Sequence, residues 1–210
     1  MHPSSMNNMQ MFVKKHLSVG TSSRARKVAD IGSQVVTGQA ESYKDFFNAD
    51  SWQYLGVDMI EGNNVDIRLQ NPYSWDEIKS DTFDVVISGQ ALEHVEYIWV
   101  TMLEIARILK SGGLCCIVVP SQGHKHSFPL DCWRFFDDGL VALAKWARLE
   151  VVEVYTQNAN SDDEIKDPEW QDSVIVCRKP QHRFFSRIKF YLANRVCRLM
   201  VKNLVNGAVK

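Results

Sequence analysis

Short apolar runs recur along the chain and alternate with stretches of helical spacing. Six of them have the length and composition of strands: 28–29, 54–57, 83–87, 114–119, 149–155 and 173–177. The first leads into Asp30 and then Gly32, the second ends at Asp58, and the third ends at Ser88-Gly89-Gln90. Strands that alternate with helices indicate a mostly parallel sheet that is covered on both faces. The pattern therefore predicts an α/β domain.

Helical spacing is clearest over residues 93–109, where apolar side chains recur every three or four positions until Gly112-Gly113. Asp137 or Asp138 is a candidate N-cap for a second helix over 139–147. Residues 158–172 are acidic and predict a surface loop. We therefore expect a lead-in over 1–25, a main domain over 26–180 and a C-terminal helix over 181–210.

The C-terminal helix is predicted to be basic and amphipathic. Its apolar face comprises Phe184, Ile188, Tyr191, Leu192, Val196 and Leu199, and its other face carries Arg187, Arg198 and Lys202. Such a helix either packs on its own domain or a partner chain, or lies on an anionic membrane surface. Because the strand pattern is complete by Cys177, the helix is expected to be dispensable for the fold.

Charge is distributed unevenly. The net charge is −1, but residues 1–172 sum to −10 and residues 173–210 carry nine Lys or Arg without an acid. A nucleic-acid enzyme usually carries positive charge around its site, so nucleic acid is not an expected partner. Five cysteines without a C-x-x-C pair favour a reduced, cytoplasmic protein, with peripheral membrane contact through the helix as an open alternative.

The glycine turn after the first strand limits the choice of cofactor. Dinucleotide sites need G-x-G-x-x-G, whereas here only Gly38 follows Gly32, and Asp30 would repel a pyrophosphate. S-adenosylmethionine has no phosphate, and its cationic sulfonium and amino groups suit a nearby carboxylate. Asp58 ends the next strand and can accept hydrogen bonds from ribose hydroxyls. The turn therefore favours S-adenosylmethionine over a nicotinamide cofactor.

Five stretches of the chain resemble class I S-adenosylmethionine-dependent methyltransferases of the type 11 kind: 28–38, 54–67, 83–95, 106–120 and 126–139. The last, HSFPLDCWRFFDDG, is similar to a branch associated with cell-surface glycan biosynthesis. The resemblance implies a doubly wound, mostly parallel seven-stranded sheet of the Rossmann-like methyltransferase fold, followed by the C-terminal amphipathic helix. Gln34 and Val36 depart from the general motif, which has glycine at both positions.

The resemblance also implies a set of cofactor contacts. Asp30 and Gly32, with Ser33 in the same turn, would bind the methionine part, and Asp58 the ribose. Met59 would lie along the adenine, and Asp66 and Ile67 would flank its edge. The floor beneath the sulfonium would be formed by Ser88, Gly89 and Gln90.

The loop after the fourth strand is crowded with titratable groups, and ligands of open α/β sheets bind beyond the carboxyl ends of the strands. His126 holds the motif position and is the first candidate for a general base or acceptor ligand, and His124 is the second. Asp131 either orients the histidine or pairs with Arg134. His94 is a candidate capping residue. Because no third ligand accompanies the His-x-His pair at a convincing spacing, no metal site is predicted.

The expected activity is methyl transfer from S-adenosylmethionine to a hydroxyl of a small-molecule or glycan acceptor. A non-catalytic methyltransferase-like module and a nicotinamide-dependent oxidoreductase are the alternatives. A second copy of this chain, in a homodimer, is a further candidate partner.

Overall fold

Seven strands form one sheet in a computed structural model that describes residues 3–17, 25–35, 41–157, 170–181 and 184–207. The strands are β1 (Arg26–Ile31), β2 (Trp52–Asp58), β3 (Ile67–Arg68), β4 (Phe83–Gly89), β5 (Leu109–Pro120), β6 (Glu150–Thr156) and β7 (Asp172–Arg178). Their order is β3-β2-β1-β4-β5-β7-β6, and among these strands β7 alone runs opposite to the others, so that it pairs antiparallel with both β5 and β6. The predicted doubly wound, mostly parallel sheet is confirmed.

The strand order reverses between β1 and β4. Where the connections from two adjacent parallel strands run in opposite directions along the sheet, a crevice opens at the carboxyl ends of those strands. Ligands of such folds bind in this crevice. The carboxyl ends of β1, β2, β4 and β5 share this edge with the start of β7, since Pro120 pairs with Asp172. The fold therefore brings residues from both halves of the chain to one edge.

The sheet buries a separate apolar cluster on each face. Helices α2 (Ile98–Ile108), α3 (Asp137–Trp146) and α4 (Phe184–Gly207) contribute to the larger cluster. The other face is covered by α1 (Pro3–His16), through Met9 and Phe12, and by a 3-10 turn over Tyr43–Phe47. The N-terminal lead-in thus contains a helix that shares a core with the sheet.

Two helix predictions need correction. Residues 92–94 form a separate 3-10 turn, and α2 begins at Ile98 because Val95 has extended backbone angles. The helix runs directly into β5, so Gly112-Gly113 lie within a strand and do not end the helix. Phe136 is the N-cap of α3, and Asp137 and Asp138 occupy its first turn, where carboxylates stabilise the helix dipole.

The face of α4 that packs on the domain differs from the predicted one. Phe190, Asn194 and Val201 are buried, whereas Leu192, Val196 and Leu199 are exposed. Arg198 lies on the inner side, where it donates to Ser74 and pairs with Asp76. The sequence pattern failed here because a buried asparagine and an inward arginine occupy the packed face. The described part of the structure does not include the side chains of Phe184, Arg187, Ile188 and Lys202. It also leaves out residues 158–169 of the loop predicted over 158–172.

Among the described residues, no helix has the length and apolar character needed to cross a membrane.

Candidate active site

The turn after β1 touches the turn after β4. Gly32 has a φ of +80°, and a Cβ atom there would lie 2.4 Å from Cβ of Ala91. Only glycine tolerates both the left-handed backbone and this close approach. Gly32 also donates from its amide to Val57 O at 2.9 Å. The turn is therefore held against β2 and β4 at the crevice where the strand order reverses.

Asp30 is a buried acid at this crevice, with 2% of its surface exposed. Tyr54 donates its hydroxyl to Asp30 Oδ2 at 2.5 Å, and Asn64 Nδ2 donates to the same Tyr54 oxygen. Burial raises the pKa of Asp30 to about 7, and the Tyr54 hydrogen bond opposes this rise. A nearby cation would favour the ionised form. Asp30 therefore suits the positive charges of S-adenosylmethionine.

Asp58 ties the first two turns together. Its Oδ2 accepts a hydrogen bond from the Gln34 amide at 3.0 Å, and its Oδ1 accepts one from the Ile60 amide at 3.1 Å. Ser33 is buried and donates its hydroxyl to Asn64 O at 2.9 Å. The carboxylate thus shapes the turn, and the ribose contact implied for it stays a prediction.

The residues expected around the adenine lie on the neighbouring loop. Met59 is exposed and Ile67 is half-buried. Asp66 accepts a hydrogen bond from the Gly56 amide at 2.7 Å through Oδ2. A Cβ atom at Gly56 would lie 1.8 Å from Asn64 O, so this loop packs directly on β2. One carboxylate oxygen of Asp66 therefore supports the loop.

The three residues at the end of β4 form a closely packed floor. Ser88 is buried and donates to Ile31 O at 2.9 Å. A Cβ atom at Gly89 would lie 1.9 Å from the Tyr43 hydroxyl. Gln90 Nε2 donates to Asp172 Oδ1 at 2.9 Å, while its buried Oε1 has no hydrogen-bond donor among the described residues. Like Asp30, this oxygen offers an acceptor to a ligand that carries donors.

Three side chains beyond β4 and β5 meet on the other side of the crevice. One ligand atom from each of Glu93, His94 and His126 lies within 4.8 Å of the others. Glu93 is completely buried, and neither carboxylate oxygen accepts a hydrogen bond of good geometry from the described residues. Burial raises the pKa of Glu93 to about 8, which its own amide and Arg134 oppose only in part.

The loop that carries His126 is fixed by an ion pair. Arg134 donates to both oxygens of Asp131, at 2.6 and 3.0 Å, and holds the pKa of Asp131 well below its usual range. Asp131 Oδ2 also accepts the His126 amide at 2.7 Å, whereas the His126 ring atom Nδ1 lies 3.6 Å away. Both predicted roles of Asp131 are therefore combined, but the carboxylate orients His126 through its backbone.

His124 is exposed and is not one of the three clustered residues, although its ring centroid lies 6.3 Å from that of His126. Its ring lies 4.8 Å from that of Trp170, which also contacts His126 at 4.8 Å. The Cys132 amide donates to Glu93 O at 2.7 Å and joins the loop to the 3-10 turn. The structure therefore brings His126 and Asp131 to the site and leaves His124 at its edge.

Several site residues were missed by the sequence reasoning. Glu93 lies in the stretch 83–95 that resembles the methyltransferase family, but it was not among the expected site residues. Asp172 is buried and bonded to Asn8 and Gln90. Tyr54 on β2 donates to Asp30, and Asn64 in the following loop donates to Tyr54. No local pattern marks these three, since their role arises from contacts between distant segments.

Residues 17–117 match the family model described as a methyltransferase domain. No curated protein matches the chain. The match supports a class I methyltransferase with S-adenosylmethionine as its cofactor, and the acid and glycine positions at the crevice fit that cofactor. The matched region ends before the loop of His126, so it carries no information about the acceptor.

Solved structures share the fold at low sequence identity. The 1,6-didemethyltoxoflavin-N1-methyltransferase of Burkholderia thailandensis is 16% identical, with a TM-score of 0.63 over 85% of this chain and 79% of that one. A putative methyltransferase in complex with the Haloferax volcanii Trm112 methyltransferase activator is 18% identical, with a TM-score of 0.56 over 86% of this chain and 93% of that one. Geranyl diphosphate methyltransferase, solved with S-adenosylmethionine, is 13% identical, with a TM-score of 0.57 over 83% of this chain and 85% of that one. These likenesses show the fold.

Proposed function

We propose that the protein transfers a methyl group from S-adenosylmethionine to a hydroxyl of a small-molecule or glycan acceptor. The observation that carries the proposal is the pairing of two features across one crevice. Asp30 and the glycine turns suit the cofactor on one side, and His94 and His126, beside the buried Glu93, provide proton-accepting groups on the other. A hydroxyl acceptor needs such groups because its oxygen must lose a proton.

The proposed reaction is an in-line displacement. A lone pair of the acceptor oxygen forms a bond to the methyl carbon, the carbon–sulfur bond breaks, and its electron pair neutralises the sulfonium. The hydroxyl proton passes to the cluster, with His126 as the acceptor nearest the transferred methyl. Positioning of the two reactants supplies much of the rate enhancement.

A thermal-shift panel followed by a transfer assay tests this function. S-adenosylhomocysteine at about 100 times its dissociation constant stabilises the protein by about 2.7 kcal/mol, whereas NAD does not. Purified glycans and small hydroxyl compounds then serve as acceptors for labelled methyl groups. Stabilisation by NAD alone would favour an oxidoreductase. Cofactor binding without transfer to any acceptor class would favour a non-catalytic module.

An exposed aromatic strip supports a glycan among these acceptors. Trp99 and Trp133 are both partly exposed, and their rings lie 6.4 Å apart. The indole N–H of Trp133 donates to Val95 O and that of Trp146 donates to Trp99 O. With these donors occupied, the rings offer apolar faces, which can stack on sugar rings. Loss of glycan binding in Trp133→Ala supports this; unchanged binding contradicts it.

We further propose that α4 contacts an anionic membrane surface. Its outward face exposes Leu192, Val196, Leu199 and Met200 beside Arg195, in the segment that carries nine basic residues and no acid. Each basic residue near such a surface contributes about 1 kcal/mol. Leu199→Glu with Met200→Glu should abolish sedimentation with anionic vesicles, while neutral vesicles bind neither protein. Equal vesicle binding by both proteins, or a concentration-dependent homodimer that covers this face, would contradict membrane contact.

A further inference from the structure

We propose that Glu93, His94 and His126 bind a divalent metal ion, with Zn²⁺ as the best match. The site itself depends only on these residues, and its use in methyl transfer rests on the proposed function. Two histidines and a glutamate with an open position are a known donor set of catalytic zinc sites. Imidazole nitrogens favour zinc and its neighbours over Mg²⁺ or Ca²⁺.

The tautomer of His94 provides the first argument. Its Nδ1 lies 2.6 Å from Leu130 O, and a carbonyl oxygen can only accept, so Nδ1 carries a proton. In the neutral ring, Nε2 then carries a lone pair and no proton, and this nitrogen lies 3.7 Å from Glu93 Oε1. Two acceptors that face each other need a proton or a cation between them. A backbone carbonyl on the remote ring nitrogen is also the usual way in which a metal-binding histidine is oriented.

The second argument is that the cluster contains polar atoms without partners. Both carboxylate oxygens of Glu93 and the Nδ1 atom of His126 are buried and have no hydrogen-bond partner in the described part of the chain. A buried polar group without a partner costs free energy, and a charged one costs more. A metal ion would satisfy Glu93 and one nitrogen of each histidine at once.

The distances fit a site that closes slightly on its ion. The ligand atoms lie within 4.8 Å of one another, whereas ligands of one tetrahedral zinc ion lie about 3.3 Å apart. The required contraction is at most about 1.5 Å. The Cys132 amide already links the His126 loop to Glu93 O, and Arg134 holds Asp131 against the His126 backbone. Both segments that supply ligands are therefore anchored to each other.

The position of the cluster gives the ion a chemical role. It lies beyond the carboxyl ends of β4 and β5, beside the floor formed by Ser88 and Gln90. A hydroxyl that occupies the open coordination position would have its pKa lowered, as zinc-bound water does. Its proton would then leave to solvent before the oxygen attacks the methyl carbon. In the metal-loaded protein the metal would thus take over proton removal from His126, because an imidazole whose lone pair binds zinc cannot also accept the proton.

Metal binding by the full chain, measured without cofactor, tests the site. After chelator treatment, the protein should bind one Zn²⁺ by calorimetry, and Co²⁺ should give visible absorption typical of a site with few ligands. Glu93→Gln and His126→Ala should each weaken Zn²⁺ binding by about 100-fold or more, because each removes a ligand. His124→Ala is the matched control: it removes a neighbouring histidine that supplies no ligand atom, so Zn²⁺ binding should be normal.

The outcomes separate the metal site from the proposed function. Absence of Zn²⁺ binding, or equal binding by wild type and both ligand variants, would overturn the metal site. The same holds if His124→Ala weakens binding as much as His126→Ala. S-adenosylhomocysteine affinity of the metal-free wild type is measured in parallel. Failure of the metal-free wild type to bind S-adenosylhomocysteine would contradict the methyltransferase proposal and leave the metal result unaffected. If Glu93→Gln does not fold, the loop variant His126→Ala decides.

Discussion

The side-chain amide of Asn194 in α4 donates a hydrogen bond of 3.1 Å to Glu104 Oε1 in α2. Both residues are buried, and the Glu104 carboxylate also accepts two bonds from Arg107 and one from the Trp75 amide. Glu104 therefore depends on α4 for one of its donors. This contact makes the C-terminal helix part of the domain's packing, and the dispensability of the helix for the fold stays a prediction.

Asn194→Ala should lower the free energy of unfolding by about 1–3 kcal/mol, because it removes a donor from a buried carboxylate. Leu192→Ala is the control on the same helix, and since Leu192 is exposed, its effect should stay within about 0.5 kcal/mol. Urea denaturation measures both. Equal stability of the two variants would show that the Asn194 contact contributes nothing.

Glycine positions differ sharply in what they tolerate. Gly32→Ala should destabilise the protein by about 1–3 kcal/mol or more, since it strains a left-handed backbone and collides with Ala91. Gly139→Ala, in the first turn of α3 with no atom within 4 Å of the new Cβ, should stabilise by about 0.5–1 kcal/mol. Thermal unfolding of the pair checks both signs. A stable Gly32→Ala protein would contradict the tight contact between the two turns.

The buried acid Asp30 predicts a pH dependence of stability. The pKa of Asp30 in the folded protein, about 7, lies above the ordinary value of 3.8. The contribution of the protonated Asp30 to the free energy of unfolding is therefore fully present below about pH 4 and is lost as the pH rises towards 7. Asp30→Asn does not titrate, and its stability relative to wild type should therefore rise from pH 4 to 8, by on the order of 2–4 kcal/mol.

Denaturation at several pH values measures this difference. Asp50→Asn, at an exposed position, serves as the control for the substitution itself. A constant difference between Asp30→Asn and wild type would mean that Asp30 is ionised in the folded protein throughout this range.

The two sides of the crevice should respond separately to substitution. Asp58→Ala should weaken S-adenosylhomocysteine binding by about 1–3 kcal/mol, because it would leave ribose hydroxyls unpaired and release the Gln34 turn. His126→Ala should lower turnover and leave cofactor affinity nearly unchanged, since its role belongs to the chemical step. Calorimetry and a methyl-transfer assay measure the two effects. Loss of cofactor affinity in His126→Ala would place this residue on the cofactor side.

Arg134 should act on turnover through the loop that it anchors. Arg134→Ala removes both hydrogen bonds to Asp131 and frees the His126 backbone, so kcat should fall while cofactor affinity is preserved. Arg134→Lys should restore little, because lysine cannot make the paired contact. Full rescue by lysine would show that charge alone matters at this position.

The sequence predicted the sheet well because buried strands leave a strong local signal. The boundaries of β2 and β7 fall within two residues of expectation, and the crevice follows from Asp30 and Gly32. The packed face of α4 was wrong because Asn194 and Arg198 are polar residues turned inward, which an apolar pattern cannot reveal. The cluster around Glu93 also escaped prediction, since it forms only when the His126 loop folds back onto the turn after β4.

The position of β7 has a consequence for how the protein is made. It is the last of the described strands along the chain, yet it lies inside the sheet, between β5 and β6. Until it emerges, β6 lacks its only strand partner among the described strands, and the edge of β5 stays open to other chains. Asp172 and Trp170 arrive at the same moment, so the crevice is completed late. A nascent chain that stops before residue 172 would therefore present unpaired edges and an unfinished site, and would be prone to aggregate.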